Sequence, residues 1–304
     1  MTTPKPFDDS PYFFLIDKPA GMTSFDVIRE LKPHLYARLG KGKGRNKLKV
    51  GHFGTLDPFA TGLLLVGTGK SLKLTDYIHR DFAKSYEATG VIGQRTLTGD
   101  CDGDIVETLS EVAPIDELLR VISEFPQEYL QRPSYFSAVK HEGKHLYEYA
   151  REGIFIDKEP VLRKIKGLKS KHIDQEYCEF SCQVSTGTYI RALWEDICSQ
   201  AKTIGHLKSL RRTHIGHLSV ENALALSSPD LGQVKALMPD EVIKLAKIQL
   251  EESQYNAIGY GADISVPDFN EELCWCSYEG KVVALLKKVG HGSYRAAVNF
   301  IARS

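Results

Sequence analysis

Residues 50–71 read VGHFGTLDPFATGLLLVGTGKS, and no other stretch limits the fold as strongly. Leu63 to Val66 is an unbroken apolar run closed by Gly62 and Gly67, which predicts a buried strand, since the run is too short for a helix. A buried strand needs packed layers around it. The run leads into Gly67, Gly69, Lys70 and Ser71, the ending of a phosphate-binding loop. Its beginning is wrong. Such a loop needs a glycine five residues before the one preceding lysine, so that several backbone N–H groups converge on the phosphates. Leu64 stands there, and the stretch is read as scaffold: a strand-to-helix turn made of small residues.

Elsewhere the patterns alternate without a regular βαβ beat, which predicts an α+β class. Strands are expected at Tyr12–Ile16, Ser85–Ile92, Leu162–His172, Tyr177–Val184 and near His214–Leu218. Helices are expected from Thr23 or Ser24 to about Leu31, over Ser71–His79, from Pro114 to about Ser123, over 143–152 and from about Tyr189 to Ala201. After about Lys247 the segments shorten between Gly259, Gly261, Pro267, Gly280, Gly290 and Gly292. The expected division is therefore 1–247 and a small β-rich appendix, 248–304.

Charge narrows the function only locally. The 304 residues carry 39 basic and 39 acidic side chains, so net charge names no partner. Between 38 and 49, however, Arg38, Lys41, Lys43, Arg45, Lys47 and Lys49 stand among three glycines with no acid. That is a cationic loop suited to phosphate contacts or to solvent. The six cysteines lack the paired spacing of a zinc site and read as reduced thiols. The segment DCDGDIVETLSE mimics a calcium loop but has Ile105 where the sharp-turn glycine belongs, so a hairpin turn on Asp102-Gly103 is preferred and no metal is expected. With no leader-like start and no membrane-length apolar run, the expected location is the cytoplasm.

Chemistry concentrates just before the buried strand. In VGHFGTLDPFATG, Pro58 pushes Asp57 out of the helical region, so its carboxylate projects from a stiff, extended turn. Gly51-His52, Gly54-Thr55-Leu56-Asp57-Pro58 and Ala60-Thr61-Gly62 together resemble the catalytic motif of the TruB family of tRNA pseudouridine synthases. Further blocks resemble that family in order: LIDKPAGMTS (15–24), GQRTLTGDCDG (93–103), RPSYFSAVKHEGKHLYEYAREG (132–153), STGTYIRALWEDI (185–197) and LRRTHIG (210–216).

The resemblance implies a mixed, mainly antiparallel sheet flanked by helices, the pseudouridine synthase fold, with a shortened PUA-like RNA-binding module at the end and an RNA-facing insertion at about 132–160. It implies isomerisation of uridine 55 in the T loop of tRNA, by a monomer that uses no cofactor, nucleotide or membrane. By the same resemblance Asp57 is the essential carboxylate, Arg191 its bidentate guanidinium partner, and Tyr86 the aromatic group on the base. His52, Lys73, Leu210, Arg211 and Arg212 would hold the substrate, and Lys41, Lys43, Arg45, Lys47, Lys49, Lys140 and Lys144 would meet the RNA backbone. Phe53 and Leu97 depart from the family's usual threonine and aspartate. Two rival classes use some of the same residues: a non-catalytic RNA-binding protein, and a nucleotide-binding enzyme, which Leu64 disfavours.

Overall fold

The computed structural model describes residues 8, 10–44 and 47–301. The chain opens with strand β1 (Phe13–Lys18) and helix α1 (Ser24–Leu39). Thr23 caps α1: its hydroxyl accepts from the Asp26 N–H while the Asp26 carboxylate accepts from the Thr23 N–H. The helix runs past its expected end near Leu31 and through Pro33. Burial of Leu35 and Leu39 on the same stripe as Val27, Ile28 and Leu31 offsets the proline's cost, each leucine contributing roughly 1.5–3 kcal/mol.

Strands β2 (Val50–His52) and β3 (Thr61–Thr68) bracket the glycine-rich loop, and every residue of β3 after Thr61 is buried. A 3-10 turn (Gly69–Leu74) leads into α2 (Thr75–Asp81), so the phosphate-loop look-alike is strand and turn, with Leu64 in the core. Next come β4 (Lys84–Ile92), the hairpin β5 (Gln94–Thr96) and β6 (Ile105–Thr108), α3 (Ile115–Glu124) and β7 (Glu128–Gln131). A small hairpin, β8 (Lys140–His141) and β9 (Lys144–His145), precedes α4 (Leu146–Arg151). The long strands β10 (Val161–Ile173) and β11 (Tyr177–Val184) follow, then α5 (Ile190–Gln200) and β12 (Gly205–Ile215). Two short strands, β13 (Leu218–Ser219) and β14 (Leu224–Ala225), finish the first sheet, and α6 (Pro239–Val242) leads out of it.

Among the described residues, ten strands form this sheet along the path β14-β1-β3-β12-β4-β11-β10-β7, with β2 attached to β3 and β13 to β12. Only β1 with β14 and β3 with β12 run parallel. The strand expected near His214–Leu218 is in fact β12, which begins at Gly205. Bulges at Leu207/Ser209 and Arg212/His214, together with a buried arginine, break the alternation that marks a strand in sequence.

On β4 the residues Lys84, Tyr86, Ala88, Gly90 and Ile92 face the core. There Phe180 of β11 stacks on Trp194 of α5 at 5.2 Å between ring centres. Gly90 lies under the same indole, so tightly that a Cβ would overlap the ring.

A second sheet, β15 (Lys247–Gln249), β16 (Ile264–Ser265), β17 (Leu273–Tyr278), β18 (Lys281–Gly290) and β19 (Ser293–Asn299), carries helix α7 (Glu252–Gly259). This β-rich module is not a loose appendix. Trp275, Leu285, Val298 and Phe300 share one core with Phe13, Leu63, Leu65 and Ile78. Lys70 donates to the Phe300 carbonyl at 2.8 Å, so the lysine of the phosphate-loop look-alike ties the two sheets together. Cutting the chain near 247 would expose that shared core to water.

Gly90→Ala forces a methyl against Trp194 and should cost about 1–3 kcal/mol. Thermal melting checks this: a clear drop in Tm is expected, and an unchanged Tm would mean that α5 is free to retreat from the sheet.

Candidate active site

Asp57 sits in the loop between β2 and β3, and two buried cations clamp that loop from opposite sides. Lys18, 0% exposed, donates to the carbonyls of Pro19 (2.9 Å), Met22 (2.7 Å) and Pro58 (3.2 Å). Burial pushes its ammonium down to about 8, against the pull of the Asp57 charge. Arg212, 1% exposed, donates from Nε to Leu63 O (2.8 Å) and from its terminal nitrogens to Thr55 O (3.3 Å) and Gly54 O (3.0 Å). Gly62, at φ +102°, lets the Arg212 backbone pass where a Cβ would collide with it. The Ser24 hydroxyl accepts from the Leu56 N–H at 2.9 Å, and the Gly21 N–H donates to Pro58 O at 2.8 Å. Leu56, Phe59 and Ala60 then anchor the loop in the core that holds Tyr86, Leu210 and α5. The result is a carboxylate on a turn with little freedom to move.

Arg191, the second residue of α5, is 4% exposed, whereas Asp57 keeps 34% of its side chain exposed. Arg191 Nε stands 3.0 Å from Asp57 Oδ2, but its N–H is not aimed at that oxygen, so the contact is an ion pair without an aligned hydrogen bond. Nη1 donates to Thr98 O at 2.6 Å and lies 3.3 Å from Asp100 Oδ2, and Nη2 donates to Phe136 O at 3.0 Å. The bidentate Asp57–Arg191 fork expected from the sequence is therefore corrected: one guanidinium is shared between two carboxylates and two carbonyls.

Asp100 is the residue that sequence reasoning missed. Burial pushes its carboxyl up, while the Thr98 hydroxyl at 2.6 Å and the Arg191 charge pull it down. The signal is present in GQRTLTGDCDG, the block that resembles the family's arginine-threonine-acid turn, where Asp100 follows Thr96 and Thr98, but the hairpin reading of DCDGDIVETLSE centres on Asp102-Gly103 and gives Asp100 no role. Thr96 also donates its hydroxyl to Asp100 O at 2.7 Å, which fixes the turn beneath Arg191.

The other expected site residues divide into groups. Tyr86 is buried opposite Arg212 on β12 and Cys182 on β11; burial pushes its hydroxyl up, and the neighbouring Arg212 charge opposes this. Leu210 lies in the same core. His52 is half-buried with Nδ1 sealed from solvent and without a partner, and burial, aided by Arg212, pushes its pKa down. Arg211 is half-exposed and forks onto Asp17 at 2.7 and 3.1 Å. Arg212 departs from its expected place among the substrate ligands, because its guanidinium is buried on loop carbonyls.

Lys73 is exposed on the 3-10 turn. Lys41, Lys43, Lys47 and Lys49 are exposed too, while Arg45 lies outside the described residues. Lys140 is exposed on β8; Lys144 pairs with Glu152 at 2.6 Å and lies 4.6 Å from the centre of the Tyr149 ring. Beside the Asp57 loop opens a cleft of about 610 Å³, walled by Phe59, Thr61, Ala88, Leu210, Arg211 and Lys171. Chemically, the arrangement offers one accessible carboxylate backed by an inaccessible cation, on a loop whose Phe59 walls a cleft large enough for a nucleotide.

The family model described as TruB family pseudouridylate synthase (N terminal domain) matches residues 42–190. The chain is 37% identical over 261 residues to the tRNA pseudouridine synthase B of Psychrobacter cryohalolentis, covering 84% of this chain and 71% of that protein. It is 34% identical over 269 residues to the protein of the same name from Actinobacillus succinogenes, covering 85% and 82%. Among solved structures, the Cbf5-Nop10-Gar1 complex contains a chain that superposes with a TM-score of 0.68 at 23% identity, over 96% of this chain and 85% of that one. That likeness establishes the fold.

One turn beyond Arg191 on α5, burial pushes the Glu195 carboxyl from its ordinary 4.5 up to about 7, with Arg191 and Arg95 pulling down and Asp196 and Asp100 pushing up. Between those two pH values the folded chain holds a proton that the unfolded chain has released, so stability falls as pH rises through the window. Glu195→Gln removes this dependence. The Tm of the variant should therefore gain on the wild type from about pH 4.5 to 7; a constant difference across that range would contradict the buried carboxyl.

Proposed function

Since the chain belongs to the TruB family of pseudouridylate synthases, we propose that it converts uridine 55 in the T loop of tRNA to pseudouridine, with Asp57 as the catalytic carboxylate. The observation that carries this reading is the pairing of Asp57, one-third exposed on a clamped turn, with the buried Arg191. A surface ion pair has no need of such burial, and a protein that only bound RNA would have no use for it. The relatives' shared name, tRNA pseudouridine synthase B, supports tRNA as the substrate.

The reaction rearranges bonds within one nucleotide. The C1′–N1 bond breaks, the uracil turns, a C1′–C5 bond forms, and the hydrogen on C5 leaves as a proton while N1 gains one. Atoms and electrons balance without a redox partner or group donor, so the reaction needs no nucleotide cofactor. The target base must leave its stack to reach Asp57. An ionised carboxylate at the sugar serves either as nucleophile at C1′ or as base toward the sugar, and both roles need the charge that Arg191 supports. Tyr86 and Leu210 would form the apolar wall against the base, with the Tyr86 hydroxyl near the proton leaving C5. His52 would steady the everted nucleotide through a neutral ring. The insertion at about 132–160 would close over the RNA from the side on which Phe136 already touches Arg191. The β-rich module would add the PUA-like RNA contact, and the place of action would be the cytoplasm.

Asp57→Asn preserves size and most hydrogen bonding but removes the charge. It should abolish tritium release from tRNA carrying 5-tritiated uridine, while filter-binding affinity stays within about tenfold, or ~1.4 kcal/mol. Normal turnover by this variant would sink the enzyme reading. Arg191→Met leaves Asp57 and Asp100 without the cation they share, and tritium release should slow by at least about 10²-fold, in the range seen when one charge-stabilising donor is lost. A variant that kept the wild-type rate would remove Arg191 from the mechanism.

A further inference from the structure

Strand β10 carries a charge pattern that the proposed reaction does not use. From Arg163 to His172 it reads RKIKGLKSKH, with five Lys and Arg residues and no acid, in a chain whose charges cancel as a whole. At 13 residues β10 outruns its neighbour: β7 pairs only with Val161–Lys164, so from Lys166 onward no strand among the described residues pairs with that edge. Ile165 pairs with Val184 and faces the core beneath α3. Lys166 and Lys169 pair with Gln183 and Ser181, and irregularities in register, with Gly167 at φ +58°, keep both lysines exposed. Lys164 is held by Glu128 at 3.0 Å and Lys171 by Glu87. Among the described residues, Lys166 and Lys169 have no acidic partner. At the far end Lys171 lines the same cleft as Thr61, Leu210 and Arg211, with Glu87, Asp102 and Glu179 also in its wall, so the row of lysines runs from the rim of that cleft to the outer edge of the sheet.

We propose that Lys166 and Lys169, flanked by Lys164 and Lys171, form a phosphate-binding track that holds the backbone of the same tRNA beyond the nucleotide in the cleft. This rests on the tRNA reading above. A strand rises about 3.3 Å per residue, so Lys164 and Lys171 lie on the order of 20 Å apart, a span that faces several phosphates of one nucleic-acid strand. The competing role for lysines on a free strand is to deter edge-to-edge pairing between copies of the sheet. A single charge is enough for that purpose, whereas two lysines without an acidic partner, flanked by two more in exposed ion pairs, match an extended polyanion.

The test is the salt dependence of full-length tRNA binding, measured by filter binding over about 50 to 200 mM KCl. Lys166→Gln/Lys169→Gln should reduce the slope of log affinity against log salt by about 1.4–1.8, at about 0.7–0.9 per lost phosphate contact. The KM for tRNA should rise by the same factor as Kd, and Lys166→Arg/Lys169→Arg should keep the wild-type slope. If the double Gln variant melts early, each single Gln variant should lose about half as much slope. An unchanged slope overturns the proposal, and if light scattering then shows the variant self-associating, the lysines belong to edge protection. The two readings fail separately. Wild-type protein that releases tritium, with a Gln variant of unaltered slope, defeats the track alone; salt-dependent tRNA binding without tritium release defeats the catalytic reading alone.

Discussion

A guanidinium taken out of water must find acceptors, and the disposition of Arg191 decides how much of this protein is arranged. Asp57, Asp100, Thr98 O and Phe136 O come from three separate segments of the chain and converge on it. Removing any one of them leaves part of a buried charge uncompensated, which costs more than an exposed pair could contribute. The helix that carries Arg191 is in turn pinned to the sheet by Trp194 on Phe180, with the indole N–H on Val91 O at 3.1 Å. Sheet, helix, hairpin turn and insertion are thereby referred to one charge.

The Asp57 loop obeys the same rule from its other sides. Lys18 and Arg212 place buried positive charge on backbone carbonyls of the loop and its flanks, and Arg191 is the cation that meets the carboxylate itself. This division of labour leaves about a third of the Asp57 side chain exposed while its backbone stays fixed. In the proposed reaction, preorganisation of this kind would lower the reorganisation needed when charge develops on the bound sugar. It also accounts for the block LIDKPAGMTS, whose contribution is structural: Lys18, Gly21 and Ser24 are the residues that wrap the turn.

Net charge was a poor guide to binding because neutrality here is an average over unlike surfaces. Acids and bases pair across the hairpin at Arg95–Glu107, on α3 at Arg120–Glu117 and in the β-rich module at Arg295–Asp263. Basic residues outnumber acids instead near Lys41–Lys49 and along β10, where, among the described residues, Lys166 and Lys169 have no acidic partner. Local excess of one sign attracts a polyanion, and screening confines its reach to about 10 Å, so placement relative to the cleft matters more than the sum.

Much of the fold and of the site was legible without coordinates. Apolar runs and alternation marked β3, β4 and β11, since burial on a sheet face writes itself into every second residue. The turn chemistry of Asp57-Pro58 marked a stiff carboxylate, and the ordered blocks marked its family. Three things were not legible. β12 was hidden by bulges and by Arg212, a charged residue in a core position whose partners are distant carbonyls. Asp100 was mistaken for a turn acid because its cation stands 91 residues further along the chain, in α5. The β-rich module looked separable because composition reports local segments, whereas the core it shares with Phe13 and Leu63 exists only once both sheets have folded. Sequence determines what depends on neighbours in the chain; packing and buried charge depend on neighbours in space, and only the tertiary structure could decide them.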